Sequence, residues 1–494
     1  MRRFLAAAIP LLLPAFAWAE AEPGPVNVGG YFRVMTRPDF QGGDSRLGYS
    51  TLYGRLLNEG PWGALELRLS LLDEVPGANN VWTSLHAKIE GGSVANADVG
   101  QGKLDRFALT QLYAKFGNVL FGRVTWQLGT LNTYLGDLGL YDLRIAEIFF
   151  ETLGLSARYQ GRMVDLLVGV GDSGYGIRRT EYDTILTAGG YLRLHLNDHV
   201  EIAAGGQAMR EPGVEGNRFA PYTTPDVRFE DFLRHEVAKT WIDANPGQED
   251  LFPPPLPTSS SSYKAIGYLG FGGFGPIEWN SLFVNYVRRH PENFYVETFE
   301  GRDYQIFVKE LTDERYQLNV GDQLQLSLVP RQLDAAIAFL YGSHWNDDNE
   351  IAPSEDDRSF YSGVLRLQLY VTRTVHCLVE SSVAYERSKQ GNQYREHLDS
   401  VFRNEDGVPD TRGFEYGDSA SRTTWQGKMG MVLNPLGYGL FTRPSLRILY
   451  GVQYSTQTNA FGNSFVESLD QFNYFGGTEQ HWHHVLALEV EAWF

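Results

Sequence analysis

The sequence predicts an all-β chain: a transmembrane antiparallel β-barrel of about eighteen strands, with short periplasmic turns and long extracellular loops. Three observations carry that prediction. Short runs with a period of two follow one another from Gly29 to the last residue. The links between them alternate, one short and the next long and polar, as in outer-membrane barrels. The chain also stops on "HHVLALEVEAWF", His483 to Phe494, with no polar tail. In that closing run Leu486, Leu488, Val490, Ala492 and Phe494 share one face. Val485, Ala487, Glu489, Glu491 and Trp493 share the other.

The beginning of the chain sets the compartment. "MRRFLAAAIPLLLPAFAWAEAE" has two arginines, a short apolar run broken by Pro10 and Pro14, and Ala17-Trp18-Ala19 before Glu20. That pattern predicts a Sec-type signal peptide over 1–19 and a barrel over 20–494, in the outer membrane of a Gram-negative bacterium. The competing reading is an N-terminal membrane anchor, for which the run is short. Removing the two arginines leaves 40 basic residues against 60 acidic ones, which argues against a nucleic-acid partner. Mean hydropathy is -0.28, yet aromatic residues make up 13% and there are 53 glycines. Cys377 is the only cysteine, which excludes a disulfide scaffold.

The elements follow in order. "YFRVM" opens the series, then "STLYGRLL", the tight link "NEGPWG" and "ALELRLSLL". "RFALTQLYAKF" turns at Gly117-Asn118 into "VLFGRV", and "LGLSARY" turns at Gln160-Gly161 into "RMVDLLVGV". "LTAGGYLRLHL" turns at Asn197-Asp198 into "VEIAAGGQAM", and "YKAIGYLGFG" turns near Gly275-Pro276 into "IEWNSLFVNYV". "YQLNVGDQLQLSLV" turns at Pro330-Arg331 into "LDAAIAFLYG", and "FYSGVLRLQLYV" turns at Thr372-Arg373 into "VHCLVESSVAYE". "TTWQGKMGMVL" passes "NPLGYGLFTR" into "PSLRILYGVQYS", and the closing strand follows. The long links are 73–104, 126–149, 210–262, 344–357, 388–420 and 457–480.

Facing separates a membrane barrel from a soluble sandwich or propeller. Leu446, Ile448, Tyr450, Val452 and Tyr454 oppose Arg443, Ser445, Arg447, Gly451 and Gln453. Leu318, Val320, Leu324 and Leu326 oppose Gln317, Asn319, Gln323 and Gln325, with Asp322 as an exception expected on the lipid side near a rim. Eighteen strands enclose a lumen too wide for side chains to fill, so the polar faces point inward. No repeat of fixed period favours a propeller. Residues 229–242 read as an amphipathic helix within the long external loop 210–262.

Motifs of catalysis and metal binding are scarce. No G-x-S-x-G, H-E-x-x-H or Walker loop occurs. "HWHH" (481–484) places His481 and His483 on one face and His484 on the other, a strained arrangement for one metal. "NDDNE" (346–350) and "NEDGVPD" (404–410) lack EF-hand spacing and read as solvated loops near lipid headgroups. No cofactor is expected. An outer-membrane barrel enzyme stays an alternative.

The lumen gives a sharper signal. Alternation points Tyr31 and Arg33 inward from the first strand, Tyr53 and Arg55 from the second, and Glu489, Glu491 and Trp493 from the last. Arg447 joins them from the strand before. Tyr31, Tyr53 and Trp493 would form an aromatic stripe on which sugar rings stack, flanked by polar side chains. The alternative is a local cluster packed against an inward loop. The candidate constriction loop, 126–149, carries Trp126, Tyr134 and Tyr141 with Asp137, Asp142 and Arg144. The acids lining the lumen favour cations.

At these residues the chain resembles the maltoporin family of trimeric carbohydrate porins. The resemblance rests on "KMGMVLNPLGYGLFTRPSLRILYGVQYS", "NAFGNSF" and "LEVEAWF" at the end, and on "GYFR", "SRLGYSTLYGRL" and "LYAKFGNVLFGRVTW" nearer the start. It implies that Tyr31, Tyr53 and Trp493 belong to an aromatic slide and Arg33 to a polar track. It also implies a homotrimer, and a terminal Phe read by the barrel-assembly machinery. The constriction segment "GRVTWQLGTLNTY" lacks the family's Arg-His-Asp run, so maltodextrin is not implied. The expected function is passive diffusion of sugars, or of other small hydrophilic solutes through a general porin, across a membrane of outer-leaflet lipid and lipopolysaccharide.

Overall fold

The computed structural model describes residues 25–37, 50–73, 79–92, 107–174, 185–211, 260–289, 295–299, 302–306, 315–346, 358–388, 421–456 and 481–494. The signal segment 1–19, the helix expected at 229–242 and the acidic run 404–410 lie outside the described residues, as does nearly all of 346–350.

Twenty strands occur among the described residues: β1 (Val26–Thr36), β2 (Trp62–Leu72), β3 (Trp82–Gly92), β4 (Ala108–Gly117), β5 (Val124–Tyr134), β6 (Glu147–Gln160), β7 (Val164–Asp172), β8 (Leu186–Asn197), β9 (Val200–Glu211), β10 (Ser260–Phe274), β11 (Ile277–Arg289), β12 (Tyr295–Phe299), β13 (Arg302–Ile306), β14 (Arg315–Val329), β15 (Leu333–Asn346), β16 (Arg358–Tyr370), β17 (Val375–Ser388), β18 (Ser421–Leu433), β19 (Ser445–Ser455) and β20 (Trp482–Trp493). β12 and β13 form a hairpin of their own. The other eighteen pair in sequence order, each antiparallel to the next, and β20 pairs back onto β1 with Tyr31 opposite Trp493 and Arg33 opposite Glu491. The ring is closed, and closure removes the free edges that a membrane would not tolerate.

The faces divide as the alternation predicts. Leu65, Leu67, Leu69, Val168, Val170, Ile337 and Leu365 are exposed on the outside. Aromatic rows mark one rim of this apolar belt: Tyr341 beside Tyr361 (5.2 Å), Tyr361 beside Tyr385 (6.2 Å), and Tyr316 stacked on Trp345 (5.5 Å). Apolar belts flanked by aromatic girdles are what lipid selects. Phe494 also faces out. Its backbone exchanges two hydrogen bonds with Gly30, and its ring lies 6.5 Å from Phe32. Asp322 faces out as expected, but seven residues from the strand end rather than at a rim. Asn280 on β11 donates to its carboxylate at 2.9 Å.

The strand total of eighteen hides two offsetting departures from the sequence reading. "STLYGRLL" is no strand: Ser50–Tyr53 is a helical turn, and Gly54 (φ 81) and Leu57 (φ 63) bend the chain out of extended geometry. β3, inside the segment expected as the loop 73–104, replaces it. Its inward positions Ser84, His86, Lys88 and Glu90 are so polar that the run reads as a loop. "VLFGRV" is mostly a tight turn, with positive φ at Asn118, Leu120 and Arg123, so the next strand begins only at Val124.

Candidate functional site

Three segments fold into the lumen. The first is 50–61, between β1 and β2. The second is 135–146, between β5 and β6. The third is 434–444, between β18 and β19, which enters from the opposite rim.

The second segment is the constriction, and its apolar sequence explains its seat. Leu135, Leu138, Leu140, Tyr141, Ile145 and Ala146 are all buried, packed with Phe283, Ala336, Ala338 and Leu340 of the wall. The wall makes room with small residues. A Cβ on Gly321 would lie 2.5 Å from the Leu138 side chain. Polar wall groups fix the loop backbone: Leu140 N–H donates to Gln323 (2.9 Å), and Asn285 donates to the Ile145 carbonyl (2.8 Å). Tyr141 hydroxyl meets Ser362 at 3.0 Å. Leu440 of the third segment joins the same core, and Arg366 stacks over Phe441 at 5.7 Å.

The sequence placed Trp126, Tyr134, Asp137, Tyr141, Asp142 and Arg144 together in a constriction loop over 126–149. Trp126 is corrected: it sits on β5 in the wall, on the outward face opposite Phe116, with its indole N–H on the Val119 carbonyl (3.0 Å). Residues 124–134 and 147–149 are likewise strand. Tyr134 ends β5 with the Arg144 guanidinium over its ring at 5.0 Å. Tyr141 is buried, whereas Asp137 and Asp142 are exposed.

The first segment seals a charged wall. Tyr53, expected to point into the pore from a strand, is 1% exposed. Its hydroxyl donates to Glu386 (3.0 Å), and Lys428 donates to its carbonyl (2.9 Å). Tyr31 and Trp493 do meet, with ring centroids 4.8 Å apart, and Trp493 is 63% exposed. The aromatic stripe is therefore a pair, with the third ring sealed elsewhere.

Arg33, Arg447, Glu489 and Glu491 face inward, as alternation requires, and Arg55 reaches the same cluster from the inward segment 50–61 rather than from a strand. The four wall residues are buried under 50–61 rather than bathed in an open pore. Glu491 is the hub. It accepts from Tyr31 (2.9 Å), Arg55 (3.0 Å) and Arg447 (2.6 Å), and forms an ion pair with Arg443 (2.6 Å). Arg37 pairs with Glu489 (3.0 Å), and Glu380 holds both Arg366 (2.6 Å) and Lys428 (2.8 Å). Glu386 pairs with Arg422 at 2.5 Å. Each of these acids lies against a guanidinium or ammonium, so none presents the free lumenal charge on which the expected cation preference rests.

Glu59 links the first and second segments. It pairs with Arg33 and with Arg55 (3.1 Å), and hydrogen-bonds to Asp142. Burial pushes the Glu59 carboxyl up to about 8, against the pull of Arg33 and Arg55. Crowding around its carboxyl strips some solvent and acts to raise Asp142, but Arg55, the hydrogen bond from Glu59 and Arg33 outweigh it and hold Asp142 down at about 2.

The open part of the lumen lies against β1–β4. A cavity of about 380 Å³ is lined by Asn27, Glu66, Arg68, His86, Lys88, Gln111 and Tyr113 among others. The sequence reading singled out none of these. Their signal was the polar parity of β3, a strand it did not see. His86 stacks on Tyr113 at 4.7 Å and meets Ser84 at 2.8 Å. Lys88 answers both Glu66 (3.5 Å) and Glu90 (2.9 Å). In the run His481-Trp482-His483-His484, the inward His483 and the outward His484 take opposite faces as expected, and His484 meets the Tyr450 hydroxyl at 2.6 Å.

A closed antiparallel ring, apolar and aromatic outside and polar within, defines an outer-membrane β-barrel. No family model matches the chain, and no curated protein does. Solved structures with similar strand layouts include Pseudomonas aeruginosa OprD (9% identity, TM-score 0.41, covering 96% of this chain and 97% of that one). The outer membrane channel DcaP of Acinetobacter baumannii is another (8%, 0.42, 95% and 97%). OmpT, an outer membrane protein of Vibrio cholerae, is a third (8%, 0.36, 96% and 100%). The assignment of the fold rests on the strand pairing itself.

Proposed function

We propose that the protein is a passive outer-membrane channel for small hydrophilic solutes and that no reaction is catalysed. The observation that carries the proposal is the lumen. Inward loops pack one side of a closed ring, and a cavity of about 380 Å³ stays open along β1–β4. Selectivity then comes from width and lining charge. Purified protein in planar lipid bilayers should give stepwise ohmic currents; a silent bilayer, with the protein shown to be inserted, would refute the channel.

Sugars are the finer reading, supported by the Tyr31–Trp493 ring pair beside Glu491. A general or other-solute porin fits equally, because burial of Tyr53 removes the third ring. Reversible current block by oligosaccharides, weakened in Trp493→Ala, separates the two. The proposal includes a homotrimer assembled by the barrel-assembly machinery among lipid and lipopolysaccharide. Crosslinking in native membranes tests the trimer.

A further inference from the structure

The two walls of the lumen differ in what their cations face. On β16–β20 and β1 the inward-facing Arg33, Arg366, Arg422, Lys428 and Arg447 meet buried carboxylates. Arg68, which lines the cavity on β1–β4, and Lys115, two residues beyond the lining Tyr113 on β4, have no carboxylate partner among the described residues. Both project inward, from β2 and β4. Arg68 is exposed, and it lies close enough to Lys115 and His86 to repel them electrostatically. The local acids are already engaged: Lys88 sits between Glu66 and Glu90. Lys115 lies 5.4 Å from the Tyr113 ring, and Tyr113 stacks flat on His86.

Two like charges kept together without a counter-charge raise each other's energy, and an anion between them relieves it. The charge on a guanidinium fork matches a planar carboxylate bidentately. The His86–Tyr113 stack offers a flat surface to the carbon skeleton behind that carboxylate, and Gln111 adds a neutral polar edge. A volume of about 380 Å³ suits a small molecule. The chain as a whole carries a formal net charge of -18, so this spot runs against the sign of the molecule.

We propose that the β1–β4 cavity is an anion station in the pore, where Arg68 and Lys115 hold small solutes through a carboxylate. The inference rests on the channel reading and names its solute class.

Its test uses the purified full-length chain in planar bilayers. Under a potassium chloride gradient the reversal potential should show chloride favoured over potassium by about twofold or more. Glucuronate, which differs from glucose by its carboxylate, should block the current at concentrations where glucose does not. In Arg68→Gln/Lys115→Gln the ion preference should fall to about unity and the glucuronate block should vanish. Conductance in symmetric salt, and the shift in gel mobility on heating that marks a folded barrel, should persist. Glu66→Gln should raise the anion preference. A cation-selective or unselective pore, equal block by glucose and glucuronate, or a double variant that behaves as the parent would overturn the inference while leaving a working channel. Inorganic phosphate blocking as strongly as glucuronate would overturn the carboxylate assignment. Absence of conductance would remove the channel and the inference together.

Discussion

The wall formed by β16–β20 and β1 and the wall formed by β2–β4 face one lumen, and both carry inward charges at alternate positions. On the first wall Glu380, Glu386, Glu489 and Glu491 stand opposite Arg366, Arg422, Lys428 and Arg447, and the segment 50–61 closes over them. Among the described residues no segment covers the second wall, and Arg68 stays exposed. The same residue types thus serve as internal fastening on one side and as a lining for solute on the other. What differs is whether a loop covers them.

The comparison can be broken most severely at Glu491. Glu491→Ala leaves Arg55, Arg443 and Arg447 buried without their common carboxylate, and losing one partner of a buried ion pair costs about 3–5 kcal/mol. The urea midpoint of the barrel in lipid vesicles should fall accordingly; an unchanged midpoint would mean that the packed wall is no more critical than the open one. Leu138→Ala removes a fully buried anchor of the constriction at a cost of about 2–5 kcal/mol. With the loop loosened from the wall, single-channel conductance should rise.

The third perturbation is pH. Glu59 holds its proton up to about 8 in the folded chain, above the ordinary 4.5. The native state therefore binds a proton that the unfolded chain releases. The stabilisation is full below 4.5 and is lost as pH rises through about 8. Asp142 has the opposite sign: its stabilisation is present above 3.8 and lost as pH falls through about 2. The unfolding midpoint should drop between pH 5 and 9, and Glu59→Gln should flatten that slope. The smallest effect belongs to the open wall. Glu66→Gln breaks an ion pair whose carboxylate is 58% exposed, so stability should change by no more than about 1 kcal/mol, read from the same urea midpoints.

Much of the fold was legible because β-barrels write their two faces into alternate residues. The closing strand shows this: from Val485 to Glu491 the buried positions alternate with the outward ones as parity predicts. What the alternation could not reveal was a segment that leaves the wall. "STLYGRLL" carries a strand-like pattern because Leu52 and Tyr53 must be apolar to pack inside the lumen, a demand that looks the same in one dimension as facing lipid. β3 shows the converse. Its inward row of Ser, His, Lys and Glu lines water and so looks like loop. Inward direction was legible for Arg33, Arg447, Glu489 and Glu491, whereas burial was not, since burial depends on where a distant loop comes to rest.

The hub at Glu491 also orders events in time. Tyr31 lies 460 positions away along the chain, and Arg55 lies 436 away. Neither can reach that carboxylate until β20 has docked on β1. An unsealed ring therefore precedes the finished pore, and the seating of 50–61 reports that the circle is complete.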